Sequence, residues 1–276
     1  SALENACLQV GAGMDRAINA RRRGRRSGLR LFAHLADHRR IAAADLALSL
    51  ILAAIAGAVN AGGFIAIGRY TSHMTGYVSE LADTIAVADW LVVASGFGAV
   101  MFFVAGAALS AVLINWARRH TRWSQYALPL ALESVLLLLF GILGAVFAGV
   151  SGFAPVAALL LCFLMGLQNA TITKISGARM RTTHVTGLVT DIGIELGKGL
   201  YRNRDPNIAR ERDVKADPRK LKILVSIVGC FFAGGLIGAV GFAGFGFGFA
   251  LPLAAILATC AVPSFVGHHR RARRHG

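Results

Sequence analysis

Hydrophobic positions along this 276-residue chain gather into long runs separated by short polar stretches. The runs are Leu46–Gly68, Trp90–Ile114, Tyr126–Val150, Phe153–Thr173, Leu221–Val240 and Phe247–Val266. Each approaches the roughly 20 residues that cross a bilayer as a helix. The last is the weakest, because Pro252 sits near its start and the glycine-rich GFAGFGFGF precedes it. Between the runs lie two briefer segments, His73–Ala88 and His184–Gly197, each short for a span and each carrying two acids. The pattern predicts an all-α polytopic membrane bundle with two short polar helices set among the spans.

Those two segments are near-copies. Residues 71–85 read TSHMTGYVSELADTI and residues 182–196 read TTHVTGLVTDIGIEL. Thr71, His73, Thr75, Gly76 and Val78 recur as Thr182, His184, Thr186, Gly187 and Val189. Ser72, Ser79 and Glu80 recur in kind as Thr183, Thr190 and Asp191. Upstream, GAVNA (57–61) matches GLQNA (166–170), which sets Asn60 against Asn169. The chain therefore reads as two repeats, 45–150 and 153–266, between a basic arm (1–44) and a basic tail (267–276).

Composition supports the membrane assignment. Apolar residues make up 55% of the chain and charged residues only 16%, against roughly 25% charged in soluble domains. The formal net charge of +15 invites a nucleic-acid interpretation, but the distribution of the charge argues for topology instead. If six runs span and the N-terminus is inside, every Lys and Arg except Arg69 falls in a cytoplasmic segment, as the positive-inside rule expects. If both motif segments also spanned, giving eight spans, the clusters at 115–124 and 174–182 would move outside. Six spans put an odd number in each half, so the second half enters inverted, a common plan for transporters whose site lies where the halves meet. Eight spans would make the repeats parallel. The residues 198–222 form a cytoplasmic linker, and both termini are expected in the cytoplasm of a bacterial inner membrane. The first forty residues contain no run suited to a secretory signal, and no cleaved leader is expected. Leu29, Phe32, Ala33 and Ala36 in the arm make a helical stripe beside Arg30 and His34, suited to an anionic lipid surface or to simple solvation.

The motif chemistry is specific enough to nominate residues. Thr71, Ser72, Thr75 and Gly76 favour a helix start, whose free N–H groups and positive dipole end suit an anion or polar group. His73, Glu80 and Asp83 share one helical face, as do His184, Asp191 and Glu195. An acid at bilayer depth costs about 2.5–3.5 kcal/mol on insertion scales and persists when it faces a cavity, pairs, or carries protons. The candidates for a substrate or proton pathway are His73, Thr75, Gly76, Glu80, His184, Thr186, Gly187, Asp191, Asn60, Gln168 and Asn169. Asp83, Glu133 and Glu195 are secondary: Asp83 also suits an interfacial, solvated place, and Glu133 is a lone acid seven residues into the third run. The amides can instead hydrogen-bond between helices. Cys7, Cys162, Cys230 and Cys260 show no disulfide or metal spacing, and no metal or cofactor is expected.

The motifs resemble those of the YoaK-like family of bacterial integral membrane proteins, described as permease-like. That family pattern runs G-x-x-D-A, S-H-M-T-G-N, M-G-x-Q-N-A and T-T-x-x-T-G. Here it appears as GAVNA, SHMTGY (72–77), MGLQNA (165–170) and TTHVTG (182–187), with the resemblance covering about 45–266. Asn60 replaces an Asp and Tyr77 an Asn, so any proton role of that Asp in relatives is absent or relocated. The resemblance implies no substrate. Residues and family together point to a secondary transporter of a small polar solute, with the lipid bilayer as partner, coupling to protons as an option and no nucleic acid. A channel, a membrane scaffold and an intramembrane enzyme are the alternatives. No G-x-x-x-x-G-K-[ST] loop, S-x-x-K, G-x-S-x-G or H-E-x-x-H supports ATP-driven transport or an enzyme.

Overall fold

The computed structural model describes residues 45–120, 125–175, 185–203 and 213–266, with no account of the side chains of 262–266. The Arg-rich arm, the tail, His184 and the middle of the 198–222 linker lie outside the described residues. The chain divides into two compact units, Ser1–Ala47 and Leu48–Gly276, and the second contains nearly everything described.

Among the described residues the regular elements are all helices, in the order α1 (Asp45–Ile67), α2 (Met74–Ala86), α3 (Trp90–His120), α4 (Ala127–Phe147), α5 (Phe153–Ile175), α6 (Val185–Leu200), α7 (Pro218–Phe245) and α8 (Ala250–Val266). Among the described residues, five helical segments are long and apolar enough to cross a membrane: α1, α3, α4, α5 and the stretch Pro218–Ala261. That last stretch is 44 residues, or about 66 Å at 1.5 Å per residue, twice a hydrocarbon core of about 30 Å. It is not one rod. Gly246 takes φ +55, a left-handed conformation that glycine adopts freely, and a 3-10 turn, Gly246–Phe249, separates α7 from α8. The short helices α2 (13 residues) and α6 (16 residues) are about 20 and 24 Å long, too short to cross unaided.

Glycines set the closest helix contacts. A Cβ on Gly57 would overlap the Phe231 carbonyl, and one on Gly234 would overlap the Ala54 carbonyl, so α1 and α7 touch backbone to backbone. A Cβ on Gly166 would overlap the Phe103 carbonyl, and one on Gly106 the Phe163 carbonyl, so α3 and α5 do the same. Small residues permit this approach where lipid supplies no hydrophobic drive between helices. The two interfaces match residue for residue: Gly57 and Ala54 of α1 correspond to Gly166 and Phe163 of α5, and Phe103 and Gly106 of α3 to Phe231 and Gly234 of α7. The sequence echoes this in Phe103-Val-Ala-Gly106 and Phe231-Phe-Ala-Gly234. Ser110 and Thr171 add a hydroxyl–hydroxyl bond of 2.8 Å within the α3–α5 seam.

Contact order along each pair gives the helix directions. Gly234 meets Ala54, Gly238 meets Ala58 and Phe242 meets Gly62, so α1 and α7 run parallel. Gly98 meets Leu159, Gly106 meets Phe163 and Ser110 meets Thr171, so α3 and α5 run parallel. Between α4 and α8 the order reverses. The Ser134 hydroxyl donates to the Ala254 carbonyl at 2.8 Å, while Gly141 lies against Ala250 and Gly144 against Phe247. Between α1 and α5 it reverses too, since Gln168 Nε2 donates to the Leu52 carbonyl at 3.1 Å and Gly63 lies against Leu161. The identical strings ALPLA, 127–131 and 250–254, begin α4 and α8.

The principal core lies among α1, α4, α5 and α8, with Leu52, Leu130, Phe140, Leu161, Leu164, Met165 and Leu257 buried. Large apolar side chains on α3 and α7, including Phe97, Phe102, Trp116, Phe232 and Leu236, are exposed, as expected of faces turned to lipid.

Candidate functional site

The first motif sits on the turn between α1 and α2. Gly68, at φ +75, closes α1 with its N–H on the Phe64 carbonyl at 2.9 Å, a common helix stop. The chain then folds back onto α1. Asn60 Oδ1 accepts from the Ser72 backbone N–H at 3.1 Å and from its hydroxyl at 2.8 Å. Thr71 is fully buried. His73 occupies the N-cap of α2 without a side-chain cap bond. Its exposed imidazole folds over the first turn against Gly76, where any Cβ would overlap the ring.

These features assemble a cleft of about 400 Å³ lined by Gly68, Arg69, Tyr70, His73, Gly76, Tyr77 and Glu80. Arg69 Nη1 reaches both Glu80 oxygens, at 3.1 and 2.9 Å. Their side chains are 41% and 37% exposed, so solvent screens the pair and its worth is small; its geometry matters more than its energy. Arg69 and Tyr77 also line a second, apolar chamber of about 250 Å³, with Ser95 and Gly98 of α3 and Ala154, Pro155 and Ala158 of α5. They therefore line both the polar cleft and the apolar chamber beside it. Tyr77 is 6% exposed. Burial, with Cys162 Sγ 3.8 Å from its oxygen, pushes the phenol above its usual range, so the hydroxyl keeps its proton. Thr75 and Asp83 are exposed and outside the cleft.

The second motif is anchored differently. On α6, Thr186 is exposed and Gly187 faces open space. Glu195, only 1% exposed, is the anchor. Its Oε2 accepts from the Asp217 backbone N–H at 2.9 Å, and its Oε1 meets Lys198 Nζ at 3.0 Å and Lys220 Nζ at 3.4 Å. Asp217 itself caps α7, accepting from the backbone of Arg219 and Lys220, with Pro218 at the first helical position. Lys220 Nζ lies 4.0 Å from Asp191 Oδ2. Asn203 and Val214 exchange two hydrogen bonds, of 3.0 and 3.1 Å, at the base of the linker.

The Asp217 N–H, then the Lys198 ammonium, hold the Glu195 carboxyl down at about 2, against an ordinary 4.5. A depressed carboxylate contributes stability that is complete above its unfolded pKa and is lost as pH falls through the folded value. Thermal melting of the purified protein should therefore show a Glu195 contribution that is level above pH 4.5 and disappears toward pH 2. The difference in Tm between wild type and Glu195→Gln isolates it. A difference that stayed constant down to pH 2 would remove the electrostatic account.

Sequence reasoning nominated Glu80, His73 and Gly76, and the fold brings them into one cleft. It nominated Gln168 and Asn169, which α5 buries; Gln168 binds Leu52, and Asn169 Nδ2 donates to the Met165 carbonyl at 2.9 Å. It gave Glu195 and Glu133 secondary rank, yet they are the most buried acids described. It passed over Arg69 and Tyr77. The one signal for Arg69 was its isolation as the single basic residue outside the cytoplasmic segments.

The fold and its charge placement define a multi-pass integral membrane protein. The pattern of the family described as "Protein of unknown function (DUF1275)" matches residues 48–262, and the chain belongs to that family. It is 26% identical over 184 residues to the UPF0700 transmembrane protein YoaK of Bacillus subtilis (strain 168), covering 65% of this chain and 78% of the relative. No solved structure matches the chain significantly.

Proposed function

We propose that this protein is a secondary transporter of a small polar solute in a bacterial inner membrane, with six spans arranged as two inverted halves, α1–α4 and α5–α8. The observation that carries this reading is the set of helix directions. Inverted halves in which α2 and α6 do not cross require α1 parallel to α7, α3 parallel to α5, and both α4–α8 and α1–α5 antiparallel. All four relations hold. Eight spans would make α4–α8 and α1–α5 parallel. The stacking of Phe153, at the α4–α5 turn, edge-on against Phe247, at the α7–α8 turn, with centroids 5.5 Å apart, also keeps those two turns on one side.

The two polar helices then approach from opposite faces. At the outer face the cleft of Arg69, His73, Tyr77 and Glu80 is open. At the inner face Glu195 and its lysines close α6 onto α7. That asymmetry fits an outward-open state of an alternating-access cycle. The Arg69 guanidinium and the N-terminal N–H groups of α2 favour a solute with an anionic group.

Uptake into proteoliposomes from a pool of polar metabolites, read by mass spectrometry, tests the proposal. Saturable uptake driven by a pH or sodium gradient is expected, with at least a tenfold loss in Arg69→Ala. Non-saturating flux would indicate a channel, and no flux of any metabolite would count against transport.

A further inference from the structure

Glu133 is the buried acid that the two motifs do not use. It lies on α4 between Leu130 and Leu137, facing the core, and is 0% exposed. Neither carboxyl oxygen has a hydrogen-bond partner. The other buried acid, Glu195, is held by two lysines and a backbone N–H, and Glu80 is held by Arg69. Glu133 is therefore the one buried acid without a partner among the described residues.

A second buried side chain presents a bare oxygen at the same depth. Gln168 donates through Nε2 to Leu52, but its Oε1 has no partner. The Tyr126 hydroxyl donates to the Lys174 carbonyl at 3.2 Å, tying the start of α4 to the end of α5. Glu133 lies two helical turns beyond Tyr126. Gln168 lies nearly two turns before Lys174 on an antiparallel helix. Both are thus about 10 Å in from that anchor, on facing elements of one core.

Three buried acceptor oxygens at one level of the core lack a donor, which buried polar groups rarely tolerate. Neighbouring helices supply no fixed cation there. Among the described residues, the ionisable side chains of α1 and α5 are Asp45, Cys162 and Lys174, with Asp45 and Lys174 at helix ends; α8 contributes Cys260, and Arg118, Arg119 and His120 of α3 are exposed at its last turn. Duplication does not explain the acid either. The matching ALPLA strings place Ile256 of α8 opposite Glu133 in the repeat, so the acid belongs to one half alone, at the contact the repeat maps onto itself.

We propose that Glu133, with the Gln168 amide oxygen at its level, is the site where the protein takes up and releases a small monovalent cation, H⁺ or Na⁺, during its cycle. This deepens the transporter reading by assigning the coupling charge to the core rather than to Glu80 or Asp191, both of which are ion-paired.

Infrared difference spectroscopy on purified protein carrying ¹³C-carboxyl glutamate tests it without any solute. Its failure leaves the transport reading standing, and a failure of uptake leaves this site standing. A labelled carboxyl signal that interconverts between protonated and ionised forms with pH is expected, lost in Glu133→Gln. Glu133→Asp, which retains an acid but carries no label, should lose the same signal and serves if the glutamine variant does not fold. A signal that follows pH and ignores sodium identifies the proton. A carboxylate signal perturbed by sodium at fixed pH, and not by a bulky organic cation, identifies Na⁺. A Glu133-dependent signal that responds to neither, or no such signal at all, would overturn the proposal.

Discussion

Gly106→Val and Gly234→Val are expected to fail alike. Each replaces a glycine whose Cβ position overlaps a carbonyl oxygen of the neighbouring helix, Phe163 in one case and Ala54 in the other. A backbone carbonyl cannot swing aside as a side chain can, so the helices must separate. Overpacking of this kind costs about 1–3 kcal/mol, occasionally more. Separation also removes the close backbone packing on which helix association in lipid depends. Gly229→Val on α7 is the control, because nothing lies within 4 Å of that position. After heating in detergent, size-exclusion chromatography should show most of the folded peak lost for both interface variants and retained for the control. If Gly106→Val were lost while Gly234→Val survived, the equivalence of the α3–α5 and α1–α7 seams would be wrong.

The sequence made the spans legible because lipid imposes length and apolarity on each helix separately. It made the duplicated motif legible because SHMTG and THVTG are conspicuous in an apolar chain. Further echoes, F-x-A-G and ALPLA, were equally present but consist of residues common in any membrane helix. Only their contacts reveal them as equivalent. Which helices meet was not legible, since hydrophobic periodicity gives no partner when nearly every face is apolar.

The site was legible in part for a related reason. Glu80 and His73 share a local face, so spacing found them. Arg69 stands in the non-helical stretch that follows Gly68 and precedes α2, and no helical periodicity links it to Glu80. Asp191 ranked above Glu195 because it is the duplicated acid. The fold instead buries Glu195, since Lys198 one turn on along α6 and Asp217 and Lys220 at the start of α7 converge on it. Glu133 could be noticed as an acid in an apolar run, but its lack of a partner is a property of the packed core.

The central claim is that α2 and α6 do not cross, so that the two halves are inverted. Single cysteines at Ser151, Gly248 and Arg119, in a background with Cys7, Cys162, Cys230 and Cys260 replaced, test it directly. Ser151 and Gly248 are exposed positions beside the α4–α5 and α7–α8 turns, and Arg119 is exposed at the end of α3. In intact cells a membrane-impermeant maleimide should label Ser151→Cys and Gly248→Cys, and should reach Arg119→Cys only after permeabilisation. Labelling of Arg119→Cys together with Gly248→Cys from outside, with Ser151→Cys protected, would contradict the inverted arrangement.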